Sequence, residues 1–229
     1  QQVARLIVTA LDAMKSENDR KADELGLIDA EAGDGDHGIG MQRGVTAGVE
    51  AARKALEQGA GSQTVLERAG DAWSDRAGGT SGALWGSALV AVGAALTDTE
   101  TPDRHRVAAG VAQATIEILE FGAVVGDKTM VDVLVPFGET LTARVNAGGS
   151  LVEAWNAAAD VASDAAAATS GLLPKMGRAR PHAEKSLGTP DAGAVSLGLI
   201  VRAVGDVLAA GPASVANPKI PSLEGEHHG

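Results

Sequence analysis

Residues Ile28-Asp29-Ala30-Glu31-Ala32-Gly33-Asp34-Gly35-Asp36-His37-Gly38 interrupt two long runs of apolar residues at helical spacing. Three aspartates and three glycines fall within this short stretch. Carboxylates this close repel one another by ~1 kcal/mol per pair at 4 Å in water, and by ~4 kcal/mol in a partly dry site, unless cations lie between them. Glycine lets the chain wrap around an ion because it accepts positive φ. The stretch predicts a metal-binding loop between two helices; a solvated acidic turn is the alternative.

The donor atoms in this loop are mainly oxygens, which narrows the choice of metal. The chain contains no cysteine and five histidines, so a thiolate zinc site is excluded and a histidine-rich one is disfavoured. A calcium-binding EF-hand needs Glu at the last ligand position of its loop, where counting from Asp34 or Asp29 gives Val45 or Gly40. Magnesium takes one or two protein carboxylates and completes its shell with water and phosphate oxygens. The loop therefore predicts Mg²⁺ together with a polyphosphate ligand.

A second motif, Gly78-Gly79-Thr80-Ser81-Gly82, precedes the apolar run 83–96. Thr80 and Ser81 fall where a helix N-terminus offers unbonded N–H groups and the positive end of its dipole, which suits phosphate. A glycine hinge followed by an ordinary N-cap is the alternative. The sequence has no GxxxxGK[ST] and no GxGxxG behind a strand-like run, so a P-loop or Rossmann site is not supported.

Composition limits the fold class and the partners. Only 2% of the residues are aromatic while 45% are hydrophobic, and the long alanine-rich runs favour helices over strands. The net charge of −11 argues against a nucleic-acid partner. The lack of cysteine, of a signal-peptide pattern and of a long uninterrupted apolar run predicts a soluble, cytoplasmic protein with no membrane partner. The length of 229 residues fits a single domain over 1–229.

Apolar residues at helical spacing mark eight segments. Capping boxes at Thr64/Glu67 and Ser150/Glu153 mark two of the starts, and Pro136 predicts a bend in the sixth segment. The predicted helices cover about 2–24, 38–57, 64–75, 81–96, 103–121, 129–145, 150–169 and 192–209. They predict an all-α fold, an eight-helix antiparallel up-and-down barrel or bundle.

The distinctive loops all follow odd-numbered helices. In an antiparallel array these loops lie at one end, and the loops after even-numbered helices lie at the other. The odd loops carry the aspartate cluster, the 78–82 motif, Gly126-Asp127-Lys128-Thr129-Met130, and the segment 171–191. The even loops, near 59–61, 98–102 and 148–149, carry nothing distinctive. This distribution predicts one nucleotide site at one end of the fold.

The connection over 171–191 is longer than ordinary helix connections, and loops of this length are usually functional or disordered. It is basic in an otherwise acidic chain, with Lys175, Arg178, Arg180 and Lys185. These side chains suit phosphate or ribose contacts, or an acidic partner. A solvated basic surface loop is the alternative.

Taken together, the four odd loops resemble those of the L subunit, or L domain, of dihydroxyacetone kinases. His37 stands where the related fatty-acid kinase nucleotide domain typically has threonine, which favours the sugar-ketone branch. The resemblance covers almost the whole chain and implies an eight-helix antiparallel barrel that binds ADP or ATP through two Mg²⁺ ions. The matching motifs are Gly33-Asp34-Gly35-Asp36-His37-Gly38 with Met41 and Arg43-Gly44, Gly78-Gly79-Thr80-Ser81-Gly82, Gly126-Asp127-Lys128-Thr129-Met130 with Asp132 and Pro136, and Gly177-Arg178-Ala179 followed by Asp191 and Gly193-Ala194.

The resemblance also implies the residues of the site. By it, Asp29, Asp34 and Asp36 bind the metal ions. No further catalytic side chain is implied, because phosphoryl transfer needs mainly positioning and charge neutralisation. By the same resemblance, the phosphates lie near His37, Gly38, Ile39, Gly40, Thr80 and Ser81, and the rest of the nucleotide near Gly122, Met130, Arg178, Asp191, Ala192 and Gly193.

Relatives of this kind bind their substrate in a separate K domain, so the resemblance implies one component of a split kinase with a K-type partner subunit. Two donors fit: freely exchanging ATP, or a tightly held ADP that a phosphotransferase-system M protein rephosphorylates in place. Dihydroxyacetone, glyceraldehyde-type trioses and four-carbon ketoses such as erythrulose all fit as the acceptor. The rival interpretation is a non-catalytic nucleotide-sensing module that uses the same pocket.

Overall fold

The structure is a computed structural model that describes residues 1–176 and 180–211. Within this part of the chain it contains α-helices, two short 3₁₀ helices (Thr169–Gly171 and Arg180–Ser186) and no strand, which confirms the all-α prediction. The α-helices are α1 (Gln2–Ala30), α2 (His37–Glu57), α3 (Ser62–Ala77), α4 (Gly79–Leu96), α5 (Arg104–Leu119), α6 (Val131–Asn146), α7 (Leu151–Ala168) and α8 (Ala192–Ala210).

The helices form a closed ring. Each one packs against the next along the chain, and α8 returns to pack against α1. Consecutive helices run in opposite directions, as expected for short connections. The prediction of an eight-helix antiparallel barrel is therefore confirmed. We call the end that carries the connections after α1, α3, α5 and α7 the odd end of the ring, and the opposite one the even end.

The interior is filled mainly by small and branched aliphatic side chains, with few aromatic rings. Trp73 stacks on Trp85 with ring centroids 5.3 Å apart, and Phe137 meets Trp155 edge-on at 5.2 Å. Such pairs contribute about 0.5–1.5 kcal/mol each beyond their buried area. Alanines at 154, 158, 159, 162 and 166 form the buried face of α7. Small residues let the helices approach closely, and the rings fill the remaining volume.

Two of the predicted helix ends were wrong. α1 continues to Ala30 instead of ending near 24, so Asp29 lies in its last turn. α3 begins at Ser62, so Thr64 is inside the helix and does not form a capping box with Glu67. The Thr64 N–H and hydroxyl instead donate to the Asp98 carboxylate, at 3.0 and 2.6 Å. A residue from the α4–α5 connection thus caps α3.

Other local predictions were confirmed. Ser150 and Glu153 form the predicted capping box at the start of α7. Asp103, where the fifth helix was predicted to begin, caps α5 by accepting from the Arg106 N–H at 2.9 Å. Pro136 lies inside α6, where the bend stays a prediction.

Two helices of the ring, Gly79–Leu96 and Ala192–Ala210, are long and apolar enough to cross a membrane by length and composition alone. Core helices of soluble proteins meet the same criterion, so this finding is weak evidence for a membrane span. In the ring each of the two packs against both of its neighbours, α4 against α3 and α5, and α8 against α7 and α1.

Candidate metal and nucleotide site

The three aspartates of the loop meet at the odd end of the ring. One carboxylate oxygen from each of Asp29, Asp34 and Asp36 lies within 4.8 Å of the other two. Asp29 belongs to the last turn of α1, and Asp36 directly precedes α2. Ligand oxygens around ions with 2.0–2.6 Å bonds are spaced on this scale, so the donor set fits Mg²⁺ or another hard divalent cation. The fold therefore brings together the residues that the sequence proposed as metal ligands.

The turn itself holds Asp29 in place. The Gly33 N–H donates to the Asp29 carbonyl at 2.6 Å, and the His37 N–H points to Asp29 Oδ2 at 3.4 Å. A β-carbon added at Gly33 would lie 2.4 Å from Asp29 Oδ1. Glycine is required at this position because any side chain would displace the carboxylate.

The His37 ring is fixed by a residue of α8 that sequence reasoning missed. His37 Nε2 lies 2.7 Å from Ser196 Oγ, and the Ser196 hydroxyl donates to the Ala192 carbonyl at 2.9 Å. Because that hydroxyl has one proton, its oxygen accepts from Nε2–H of His37. Ser196 is fully buried. The only signal in the sequence was a polar residue within the apolar run that forms α8.

Burial lowers the pKa of His37, and the charge of Asp29 opposes this effect only in part. The ring is therefore neutral at pH 7, with a proton on Nε2 and a lone pair on Nδ1. Nδ1 of His37, which carries a lone pair and no proton, cannot donate a hydrogen bond to a phosphate oxygen. We therefore expect His37 to order the start of α2 and not to neutralise charge.

Gly38 allows α1 and α2 to approach closely. It is buried, and a β-carbon at this position would lie 2.0 Å from the Ala22 carbonyl oxygen of α1. Gly40 lies in the same turn, but a β-carbon there would meet nothing within 4 Å, and Ile39 is 52% exposed. Gly38 thus has a packing role, and its contact with phosphate stays a prediction.

We expect Gly38→Ala to destabilise the ligand-free protein by about 2–3 kcal/mol, because the added carbon forces two helix backbones apart. Gly40→Ala is the matched control and should be neutral or stabilise by up to ~1 kcal/mol, since alanine favours helix and meets no neighbour. Urea unfolding measures both. Equal stability of the two variants would contradict the packing role of Gly38.

The Gly78–Ser81 motif forms the start of α4. A single residue, Gly78, separates α3 from α4, and both Gly78 and Gly79 have positive φ, 67° and 61°. No side chain caps this helix start, and Thr80 is exposed. The predicted helix N-terminus is therefore confirmed, two residues earlier than expected. Its uncapped N–H groups are available for an anion at the odd end.

Asp191 links the third and fourth odd connections to the metal cluster. Its carboxylate caps α8 by accepting from the Ala194 N–H at 2.7 Å, and its own N–H donates to Thr169 at 2.9 Å. The pKa of Asp191 is raised to about 6, mainly by burial. The hydrogen bond from Ala194 and the charge of Lys128 lower this pKa, whereas the charges of Asp132 and Asp29 raise it. Asp29, Asp132 and Asp191 thus lie near enough for their charges to interact, as expected if the connections after α1, α5 and α7 meet at the odd end.

The remaining predicted nucleotide residues divide between these connections. Met130 is buried, and its β-carbon lies 3.7 Å from where a β-carbon of Gly193 would stand, so α6 and α8 begin side by side. Ala192 is buried at the start of α8. Gly122 is exposed just after α5, with φ of 96°. Arg178 lies outside the described residues.

Comparison with protein families shows to which family this chain belongs. The model of the DAK2 domain matches residues 31–206. The chain belongs to the DAK2 domain family. The match begins within the loop of the three aspartates and ends within α8, so it contains the four odd connections.

Named relatives of this DAK2 domain are kinases. It is 57% identical to an L-erythrulose kinase of Pectobacterium atrosepticum, in a match that covers 90% of this chain and 35% of that kinase. It is 55% identical to a D-erythrulose kinase of Mycolicibacterium smegmatis, in a match that covers 89% of this chain and 35% of that kinase. It is also 31% identical to the ADP-binding subunit DhaL of a PEP-dependent dihydroxyacetone kinase of Escherichia coli, in a match that covers 74% of this chain and 80% of that subunit. The chain thus spans about a third of the length of the erythrulose kinases.

Solved structures agree on the fold of the DAK2 domain. The native dihydroxyacetone kinase of C. freundii superimposes with a TM-score of 0.63 and 25% identity, over 88% of this chain and 34% of that one. The same kinase in complex with AMP-PNP and Mg²⁺ gives a TM-score of 0.65. The resemblance inferred from the four loops is confirmed.

Proposed function

We propose that this DAK2 domain is the nucleotide-binding, phosphoryl-transferring unit of a short-chain ketose kinase. The observation that carries the proposal is the convergence of Asp29, Asp34 and Asp36 within 4.8 Å at the odd end, which also carries the uncapped start of α4. The carboxylates would hold two Mg²⁺ ions, and the N–H groups at the start of α4 would bind phosphate oxygens. Bound Mg²⁺ would neutralise charge on the transferred phosphoryl group.

The charges of such a complex are compatible. Three carboxylates and an ATP of about −4 carry about −7 together, and two divalent ions offset more than half of this charge. The neutral ring of His37 adds no charge, and Ser196 keeps it in one orientation. This chain would therefore contribute positioning and charge neutralisation, which are the main requirements of phosphoryl transfer.

For the acceptor, we propose a four-carbon ketose such as erythrulose. The support is the identity of 57% and 55% to erythrulose kinases, compared with 31% to the E. coli dihydroxyacetone kinase subunit. For the donor, we propose ATP, because PEP dependence is named only for the more distant of these three relatives. A phosphotransferase-system M protein is the partner that the other donor mode would require.

A K-type subunit or domain would hold the acceptor, and the surface of the odd end supports a partner there. Every large hydrophobic side chain that is exposed in the described ranges lies in the last or first turn of a helix at this end, or in an odd connection. Such a concentration of apolar surface marks an interaction site more often than a solvated one. These residues are Leu27, Ile39, Ile116, Leu119, Phe121, Val124, Val125, Leu173, Met176 and Leu187.

The experiment that tests the site is joint stabilisation by Mg²⁺ and ADP. We expect neither ligand alone to raise the melting temperature much, since the aspartates need metal and the metal needs phosphate oxygens to complete its shell. Together, at a nucleotide concentration of about 100 Kd, they should add roughly 2.7 kcal/mol. EDTA should remove the gain. An unchanged melting temperature with both ligands present would contradict the proposed site.

A further inference from the structure

The side chain of Lys128 joins two stretches that are distant in the sequence. Its Nζ donates to the Leu172 carbonyl at 3.1 Å, and to the carbonyl and hydroxyl oxygens of Ser186 at 2.7 and 3.1 Å. An ammonium has three protons, and here three acceptors surround it. Lys128 is only 4% exposed. Leu172 and Ser186 belong to the two described parts of the α7–α8 connection, 172–176 and 180–186, which we call the tied segment. One side chain thus joins both parts.

The backbone around Lys128 is specialised for this contact. Lys128 has φ of 60°, a conformation that side chains other than glycine rarely adopt. Such strain persists where the surrounding structure determines the conformation. Its neighbour Asp127 binds the same segment: the Asp127 carbonyl accepts from the Lys175 N–H at 3.1 Å, and its carboxylate lies 3.6 Å from Lys175 Nζ.

The same connection reaches the proposed nucleotide residues. Lys128 and Asp191, at the start of α8, attract each other electrostatically. Met130, two residues after Lys128, lies beside Gly193. A displacement of the tied segment that moves Lys128 would therefore change the electrostatic surroundings of Asp191 at the start of α8.

We propose that Lys128 is a positioning residue, which holds the tied segment (172–176 and 180–186) against the α5–α6 connection and thereby slows the release of a magnesium-bound nucleotide. The part on nucleotide release rests on the proposed function, whereas the part on holding the segment does not. Lys128 acts here through the residues it fixes and not by touching the reacting phosphoryl group.

The test combines hydrogen exchange with nucleotide dissociation. Lys128→Met removes the ammonium and keeps a side chain of similar length. In ligand-free protein, we expect the amides of 172–176 and 185–188 to exchange about tenfold faster or more, because several charge-assisted hydrogen bonds are lost. The amides of α1 to α4 should be unchanged. Dissociation of a fluorescent ADP analogue in the presence of Mg²⁺ should accelerate by a similar factor.

Two further variants sharpen the result. Ser186→Ala removes one of the three acceptors and should accelerate both processes, but less than Lys128→Met. Lys54→Met makes the same change at an exposed position of α2, toward the even end, and should leave both rates at the wild-type values.

Each outcome decides one part of the proposal. Unchanged exchange in the segment, or faster exchange throughout the chain, overturns the holding role. Faster local exchange with an unchanged dissociation rate overturns the link to nucleotide release. A wild-type protein that binds no Mg-ADP overturns the proposed function, and the exchange rates of ligand-free protein still decide the holding role.

Discussion

We expect Asp34→Asn to lower the affinity for Mg-nucleotide at least about tenfold, while the ligand-free protein keeps or gains stability. The substitution removes one charge with little change of shape from a cluster whose oxygens lie within 4.8 Å of one another. The attraction lost with each divalent ion exceeds ~1 kcal/mol even in water, and the repulsion relieved in the absence of metal is of the same kind. Asp36→Asn should behave alike. Calorimetric titration with Mg-ADP measures the affinity, and urea unfolding measures the stability.

The control for this prediction is Asp164→Asn, the same change at an exposed position of α7. It should leave the affinity for Mg-nucleotide unchanged. If Asp34→Asn instead lost its helical circular dichroism, the loop would be needed for folding and the metal-site interpretation would be wrong.

We expect the isolated chain to phosphorylate no free ketose, and a K-type subunit to create the activity. The described residues bring together groups for metal and phosphate, and the family resemblance assigns the carbonyl substrate to a separate K domain. Purified chains mixed with Mg-ATP and either erythrulose or dihydroxyacetone test this expectation, with ADP release and sugar phosphate as readouts. Faster turnover with erythrulose would support the four-carbon acceptor.

Two variants locate the contact within this reaction. Arg178→Ala, in the basic connection, should reduce transfer more than Lys21→Ala, which lies on the outer side of α1 in an ion pair with Glu24. Sugar phosphorylation by the chain alone would overturn the split arrangement. Nucleotide binding without transfer, whichever K-type partner is added, would favour the nucleotide-sensing module.

Local patterns were sufficient to predict the ring but not its precise helix ends. Apolar spacing predicted all eight helices, because each needs a buried face and their short connections leave few ways to arrange them. α1 was predicted too short, because it continues through Gly26 to Ala30. In the structure the metal loop folds back on α1, and a β-carbon at Gly26 would lie 3.2 Å from the Gly35 carbonyl. This contact supports a helix that local propensity alone would end.

The site was predictable where its chemistry lies within one loop. Asp29, Asp34 and Asp36 could be grouped because one short stretch of sequence contains them all. The partners that order the site could not be predicted in this way, since Ser196 is 159 positions from His37 and Ser186 is 58 positions from Lys128. Such pairs depend on which helices close the ring, and a single sequence does not show that.

The closure of the ring by α1 and α8 has a consequence for engineering. Gln1 donates to the Gly59 carbonyl of an even connection, so α1 begins at the even end, and α8, an even-numbered helix, finishes there too. A circular permutant could therefore join 210 to 2 by a short linker and open the chain at Gly148–Gly149, without cutting any loop that carries the aspartates or the basic segment. The chain termini would then lie at the even end, and the connections at the odd end would remain intact.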